Sequence, residues 1–367
     1  MTDKIEKIYK ILNSSNLDAI ALVPGSNFRY LTGGNFHLME RPTILIITRK
    51  KELVAILPSL EVDSFNKLGF SAKVISWHDK NGYANAFNEA SNLLGNISRL
   101  GVEGQRIRFF ETQAFIENFS NISIVNYHKE ISSIRQNKDK EEVSYLKKAI
   151  DISEISLENT LKYMKAGMSE LEVKQFLIQQ LYQNGAEGIS FDPIVLAAAN
   201  SALPHGHSTE SNKLQKGDTI LFDFGGSYKG FNADITRTFF LEEANELQKN
   251  VYNNVLEANL TGIKNSIISK SLHDVDDSTT NILENGEYKE FIVHKTGHGL
   301  GLDVHEDPYV VRGNHSKLEE GMIITVEPGL YLPGKFGIRI EDDVLITNNL
   351  PNILTSFSKE LRIIKND

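Results

Sequence analysis

The stretch Leu221–Phe239, LFDFGGSYKGFNADITRTF, carries two apolar runs on either side of a Gly-rich turn, with one aspartate on each run, Asp223 and Asp234. Side chains alternate between faces along a strand. That alternation puts Thr219, Leu221, Asp223, Asp234, Thr236 and Thr238 on one face of the hairpin, and Phe222, Phe224, Ala233 and Ile235 on the other. A hairpin turning symmetrically about Tyr228–Lys229 sets Asp223 directly opposite Asp234. Directly opposed residues of an antiparallel pair have Cβ atoms about 4.5–5.5 Å apart, where like charges repel. A divalent cation between the two would turn that repulsion into ligation. A solvated outer face tolerates the same pair, and one bulge changes the register, so the hairpin alone leaves both readings open.

More groups of the same chemistry follow. The segment VHKTGHGLGLDVHEDP, Val293–Pro308, sets His294, His298 and His305 among glycines that allow close backbone approach. It is neither a long regular helix nor a HExxH pattern, and GHGLG is too weak to read as a phosphate loop. The apolar strand GMIITVEPG ends in Glu327; an ionised carboxylate there costs several kcal/mol, on the order of the penalty for burying any unpaired charge, unless it is paired or metal-bound. In GIRIEDDVLIT, strand alternation brings Arg339, Glu341 and Asp343 to one face, where Arg339 and Glu341 alone would read as an ordinary ion pair. The assembled set is Asp223, Asp234, His298, Glu327 and Glu341. Four carboxylates and an imidazole suit Mn²⁺, Co²⁺ or Zn²⁺, and because carboxylates bridge, this many oxygens fits two ions better than one. With no cysteine in the chain, any metal site has to be built from His, Asp and Glu.

The rest of the chain sets the context. Its 367 residues suffice for two domains, and 40% hydrophobic with 24% charged residues is ordinary for a globular protein with a real core. A net charge of −9 gives no footprint for nucleic acid or an anionic membrane. The N-terminal MTDKIEKIYK is too charged for a signal peptide, the longest apolar stretches, such as TILIIT, are too short to span a bilayer, and there is no low-complexity segment or short-period repeat. These features and the missing cysteines fit a cytoplasmic protein. The first third alternates helix-like and strand-like pieces: Ile5, Ile8 and Leu12 at helical spacing, then DAIALV, TILIIT, LVAIL and AKVISW as strands around a helical LEVDSFNKLGF. That is an α/β domain over residues 1–134. The charged RQNKDKEE leads into a long helix with Val143, Leu146, Ile150 and Ile155 along it, and opens a second domain over residues 135–367. There, capping patterns at Ser169–Glu172 and Ser271–Asp274 start helices that Gly185 and Gly286 end. Leu247, Val251 and Val255 share a helical face. Strands and helices fall in blocks, so this part is α+β.

The ordered set Asp223, Asp234, His298, Glu327, Glu341 resembles the five ligands of the M24 metallopeptidases, the pita-bread fold of methionine aminopeptidase, aminopeptidase P and prolidase. The close spacing of the two glutamates, SALPHG, GHGLGLDVHEDP, VEPGLYLPG, and the N-terminal NFRYLTGG and IRQNKDKEE all resemble the proline-specific branch, in which a creatinase-like α/β domain precedes the catalytic one. The resemblance implies two divalent ions, Mn²⁺ foremost, with Asp223 and Asp234 chelating one, His298 holding the other, and Glu327 and Glu341 bridging or completing the pair. It implies catalytic parts for Glu327, His205, His305, His294 and Arg339, and substrate contacts for His205, His305 and Tyr331. The implied reaction is attack of a metal-bridging hydroxide on the carbonyl before proline of a small peptide, by an Xaa-Pro dipeptidase or aminopeptidase. A homodimer is implied as well, with NFRYLTGGNFH either reaching the partner's site or simply filling its own core. The rival readings are C–N hydrolysis or lyase chemistry on a small non-peptide compound, a ligand-free binding protein, and methionine aminopeptidase, against which the extra N-terminal domain and SALPHG weigh.

Overall fold

A computed structural model describes residues 3–348 and 350–365. The chain divides into two compact units, Met1–Arg135 and Gln136–Asp367. The first is built on strands β1 (Ala19–Leu22), β2 (Ile44–Thr48), β3 (Leu53–Pro58), β4 (Lys73–Trp77), β5 (Arg99–Val102) and β6 (Ser123–Asn126). They form one sheet in the order β4-β3-β2-β1-β5-β6. It is mixed: β1–β2 and β2–β3 are antiparallel, and β3–β4, β1–β5 and β5–β6 are parallel. The run-like β2 and β3 are buried on both faces, as expected where helices cover the sheet. The helix Asp3–Ser14 buries Ile5, Ile8, Tyr9 and Leu12, a stripe at three- and four-residue spacing. Phe28, Tyr30 and Leu31 are interior residues of this unit.

In the second unit, helix Lys140–Tyr163 starts with a reciprocal cap: Glu142 N–H donates to Asp139 Oδ1, and Asp139 N–H to Glu142 Oε2. It buries Leu146, Ala149, Ile150 and Leu157. Ile155, expected on that stripe, is 52% exposed. Five residues beyond Ile150, it is turned about 140° around the helix. This helix and Glu170–Gln183 pack with Phe222, Phe224, Ala233 and Ile235, the apolar face of the hairpin. Full burial of each such large side chain contributes about 1.5–3 kcal/mol.

The hairpin strands Thr219–Phe224 and Ile235–Leu241 lie in a sheet with Ile194–Ala197 and Ile363–Ile364. Their register differs from the symmetric one. Asp223 pairs with Thr236 and Phe224 with Ile235, because the turn is Lys229–Gly230, between the paired Tyr228 and Phe231. Lys229 (φ 51°) and Gly230 (φ 84°) are both left-handed, as a two-residue type I′ turn requires. The slip is two positions, so every side chain keeps its face and Asp234 stays on the side of Asp223. A Cβ on Gly225 would lie 1.7 Å from the Ala233 carbonyl oxygen. Only glycine permits that crossing, which separates the outer hairpin from the inner ladder just where the aspartates sit.

A second sheet orders Glu306–Val310, Gly297–Gly299, Ile323–Val326, Asp342–Leu345 and Asn352–Ile353. GIRIEDDVLIT, expected as one strand, is two. Phe336–Arg339 pairs with Gly329–Leu332, and Asp342–Leu345 pairs with Ile323–Val326. At the break, Glu341 N–H crosses to the Thr236 carbonyl at 3.1 Å.

The second unit is also internally duplicated. KLQKGDTILFDFG (Lys213–Gly225) and KLEEGMIITVEPG (Lys317–Gly329) align without a gap, matching Asp223 to Glu327. The structure agrees: isolated bridges join Ser169 to Lys213 and Ser271 to Lys317, each serine capping the second helix of a helix pair.

Candidate metal centre

Each acidic or imidazole group of the predicted set stands at or next to a strand end. Asp223 is the penultimate residue of its strand, Asp234 directly precedes Ile235–Leu241, Glu327 directly follows Ile323–Val326, Glu341 occupies the break, and His298 is the centre of Gly297–Gly299. A Cβ on Gly297 would lie 2.0 Å from the Thr325 carbonyl oxygen, so glycine lets this short strand approach its neighbour closely enough to deliver His298.

The five side chains converge. Ligand atoms of Asp223, Asp234 and Glu341 lie within 4.8 Å of one another, as do those of His298, Glu327 and Glu341, and those of Asp234, His298 and His305. The groups overlap through Asp234, His298 and Glu341, which is the pattern of two adjoining positions sharing bridging donors. His298 Nδ1–H donates to the Gly299 carbonyl at 3.1 Å, which turns Nε2 toward Glu327 Oε1, 3.3 Å away, and Asp234 Oδ2, 3.6 Å away. A second-nitrogen hydrogen bond of this kind orients an imidazole for ligation.

The charges make the case for a cation. Burial pushes the Asp234 carboxyl well up, and Glu341 and Asp223 beside it add to the rise. Burial likewise raises Glu341, reinforced by Glu327 and Asp223. Burial raises Glu327 too, but a hydrogen bond from His298 and the positive fields of His298, His294 and Arg339 outweigh it and hold its carboxyl at about 2. Asp223 Oδ1 is buried without a hydrogen-bond partner. Oxygens packed this closely, one of them orphaned, fit divalent cations.

The remaining candidates divide. His205, His294, His305 and Arg339 line the same cavity of about 730 Å³ as the five. Tyr331, expected at the substrate, is absent from that lining and 2% exposed. Its hydroxyl lies 2.8 Å from His294 Nε2 and accepts from Arg339 Nη1 at 2.6 Å, so it braces two cavity residues from behind. Arg339 also donates to Asp223 Oδ2 through Nη2 and to Thr236 Oγ1 through Nε. Burial together with His298 pushes the His305 imidazole down to about 4, keeping it neutral near pH 7.

Sequence reasoning missed three contributors. Thr236 links Arg339 to Glu341, with its hydroxyl donating to Glu341 Oε2 at 2.7 Å; its place on the aspartate face was the available signal. Asp343, expected beside Arg339 and Glu341, instead accepts the Asp234 backbone N–H at 3.3 Å from behind. Phe191, Ile194, Pro204 and Val304 supply an apolar wall that no motif announced.

Residues 144–348 match metallopeptidase family M24, and residues 4–136 match the creatinase/prolidase N-terminal domain. The chain belongs to family M24. An uncharacterized peptidase of Staphylococcus aureus is 33% identical over 356 residues, which cover 97% of this chain and 99% of the relative. Among solved structures, an Xaa-Pro dipeptidase from Bacillus anthracis superposes with a TM-score of 0.91 at 31% identity, covering 98% of this chain and 99% of that one. Recombinant prolidase from Thermococcus sibiricus gives 0.92 at 32% identity, covering 99% and 100%. As an M24 metallopeptidase, the chain has the two-domain architecture of the resemblance, a creatinase-type α/β domain followed by an α+β pita-bread domain. No described helix is long and apolar enough to cross a membrane.

Proposed function

We propose that this chain hydrolyses the peptide bond preceding proline in short peptides, as a dinuclear enzyme with Mn²⁺ as its ion. The observation that carries this is the convergence of Asp223, Asp234, His298, Glu327 and Glu341 on one cavity that also has an apolar wall. The dipeptidase and prolidase likenesses point the same way.

Asp223 and Asp234 would hold one ion, His298 the other, and Glu327 and Glu341 both; when bound, such a pair polarises a scissile carbonyl and acidifies water. The chain's own groups do the rest. Glu327 is charged at neutral pH, so its carboxylate accepts a proton and later returns it to the leaving imide nitrogen. His205 and His305, facing the cavity, donate hydrogen bonds to the carbonyl oxygen as it gains charge. Phe191, Ile194, Pro204 and Val304 offer the pyrrolidine ring an apolar surface. Proline lacks an N–H and has a fixed φ, so shape rather than backbone hydrogen bonding selects it. Assembly as a homodimer is carried over from the resemblance, and a cytoplasmic location from the composition and the missing cysteines.

The test uses chelator-treated protein resupplied with Mn²⁺ and offered Ala-Pro, Gly-Pro, Ala-Pro-Gly and Ala-Ala. Cleavage confined to the proline peptides is expected. No cleavage of any proline peptide with Mn²⁺, Co²⁺ or Zn²⁺ removes the proposal.

A further inference from the structure

Val304 and His305 reach the cavity from one short loop, Leu300–His305. The loop leaves the sheet at Gly299 and re-enters it at Glu306, two residues paired in register. The His305 side chain is exposed and makes no hydrogen bond among the described residues; its ring lies 4.0 Å, centroid to centroid, from that of His298. Its place over the centre is therefore set by the backbone of the loop.

That backbone rests on a buried ion pair. Glu306, the residue after His305, accepts from Lys138 Nζ at 2.5 Å, and both side chains are 2% exposed. The ammonium also donates to the Gln136 carbonyl at 3.1 Å. Lys138 is held in turn: its N–H donates to the Gly321 carbonyl at 2.8 Å, and Asn137 bridges Met322. The loop lies directly on the pair, since a Cβ on Gly301 would stand 2.9 Å from both Glu306 Oε1 and Lys138 Cε. Asn232 Nδ2 ties the same stretch down, donating to the Gly301 and Leu302 carbonyls at 3.0 and 3.1 Å. Apolar side chains would fill the space of the pair without the cost of stripping water from two charges. What the charges add is a single fixed arrangement beneath the loop. Lys138 lies between the two matched regions, residues 4–136 and 144–348, and far from the ligands in sequence.

We infer that the Lys138–Glu306 pair anchors the Leu300–His305 loop, and that Lys138 is a positioning residue acting through the place it gives His305 and Val304. This rests on the Xaa-Pro reading above for what His305 does. It assigns Lys138 no contact with substrate.

The experiment compares Mn²⁺-loaded wild type, Lys138→Met, Lys138→Met/Glu306→Leu, His305→Ala and His305→Ala/Lys138→Met. Each is measured for urea denaturation, amide exchange and hydrolysis of Ala-Pro. Lys138→Met leaves a buried carboxylate without its partner, so its urea midpoint falls; the charge-free double variant regains much of that loss. Activity does not return with stability. In both variants kcat/KM falls roughly tenfold to a hundredfold, the scale of a misplaced group near the chemistry, and amides of residues 300–306 exchange faster. In the His305→Ala background, Lys138→Met costs only a few-fold more, because the group it places is already gone. If Lys138→Met does not fold, the double variant decides alone.

Wild-type kcat/KM in the stable double variant, loop exchange as slow as in wild type, or an undiminished loss in the His305→Ala background overturns the inference and leaves Xaa-Pro hydrolysis standing. If the wild type itself cleaves no proline peptide, the Xaa-Pro reading fails and this inference falls with it.

Discussion

The Thr236 hydroxyl donates to Glu341 Oε2 across 2.7 Å, inside a fully buried environment. The same oxygen accepts from Arg339 Nε at 3.0 Å, so one hydroxyl holds a metal-facing carboxylate and the guanidinium beside it in fixed orientation. Substitution Thr236→Val preserves shape and deletes both contacts. Loss of such an outer hydrogen bond lowers metal affinity by about 10–100-fold. Titration of apo protein with Mn²⁺ by calorimetry checks this, and unchanged affinity would show that Thr236 only fills space.

Metal uptake should release protons. Asp234 and Glu341 both have carboxyl groups raised well above the usual range, burial being the first cause and neighbouring carboxylates the second. Each holds its proton to higher pH than an ordinary carboxylate, and a cation must displace it. Mn²⁺ affinity is therefore expected to increase as pH rises through and above the usual carboxylate range, with proton release visible as a calorimetric heat that depends on the buffer's ionisation enthalpy. Asp223→Asn should abolish binding at one position, and Glu341→Gln should weaken it at both. Equal heats in all buffers would contradict displacement of protons by the cation.

Asp342 anchors a buried network behind the site. It accepts from Arg237 Nη2 at 2.8 Å, Thr355 Oγ1 at 2.7 Å and Lys359 Nζ at 2.7 Å. Burial alone would raise its carboxyl, but Arg237 and Lys359 overcome that and hold it below the ordinary value. Asp342→Asn leaves two cations without their partner, a loss of about 3–5 kcal/mol. A depressed carboxyl contributes stability that is complete above its unfolded value, about 4, and fades as pH falls further toward the folded one. Urea denaturation of metal-free protein should show a wide gap between wild type and Asp342→Asn at pH 7, narrowing below about pH 4. A constant gap would mean the carboxylate's charge is not what stabilises.

Glu170 organises the loop that carries His205. It is fully buried and accepts from Ala197 N and Asn212 Nδ2 at 2.7 Å, Asn200 Nδ2 at 2.9 Å and Thr209 N at 3.0 Å. Glu170→Ala frees these donors, each unsatisfied one costing about 1–3 kcal/mol. Faster amide exchange over residues 198–212 is expected, together with a fall in kcat/KM of roughly tenfold or more, since small misplacements of positioning groups carry large rate penalties. Unchanged Mn²⁺ affinity would separate this from damage to the ligands. Exchange as slow as in wild type would refute the organising role.

Much of the site could be read from the chain because its chemistry lies at strand ends. Strand alternation alone put Asp223 and Asp234 on one face, and a register slip of two positions could not change that. The turn was misplaced because Lys229, a residue with no special liking for positive φ, occupies the first left-handed position that glycine or asparagine usually marks. The break before Glu341 was invisible because β-rich runs such as GIRIEDDVLIT carry no punctuation. What ends the strand there is a long-range contact, Glu341 N–H to the Thr236 carbonyl. Ile155 lies off the helix stripe because apolar side chains also occur singly on surfaces. The apolar cavity wall joins residues scattered from Phe191 to Val304, a proximity that only the tertiary fold creates.

The matched segments Lys213–Gly225 and Lys317–Gly329 each furnish one acidic donor, Asp223 and Glu327, to a shared centre. Neither half owns a working reaction chamber. The first matched segment and its hairpin supply Asp223 and Asp234 but none of His298, Glu327 and Glu341. The centre is therefore complete only when both matched segments are present and folded together.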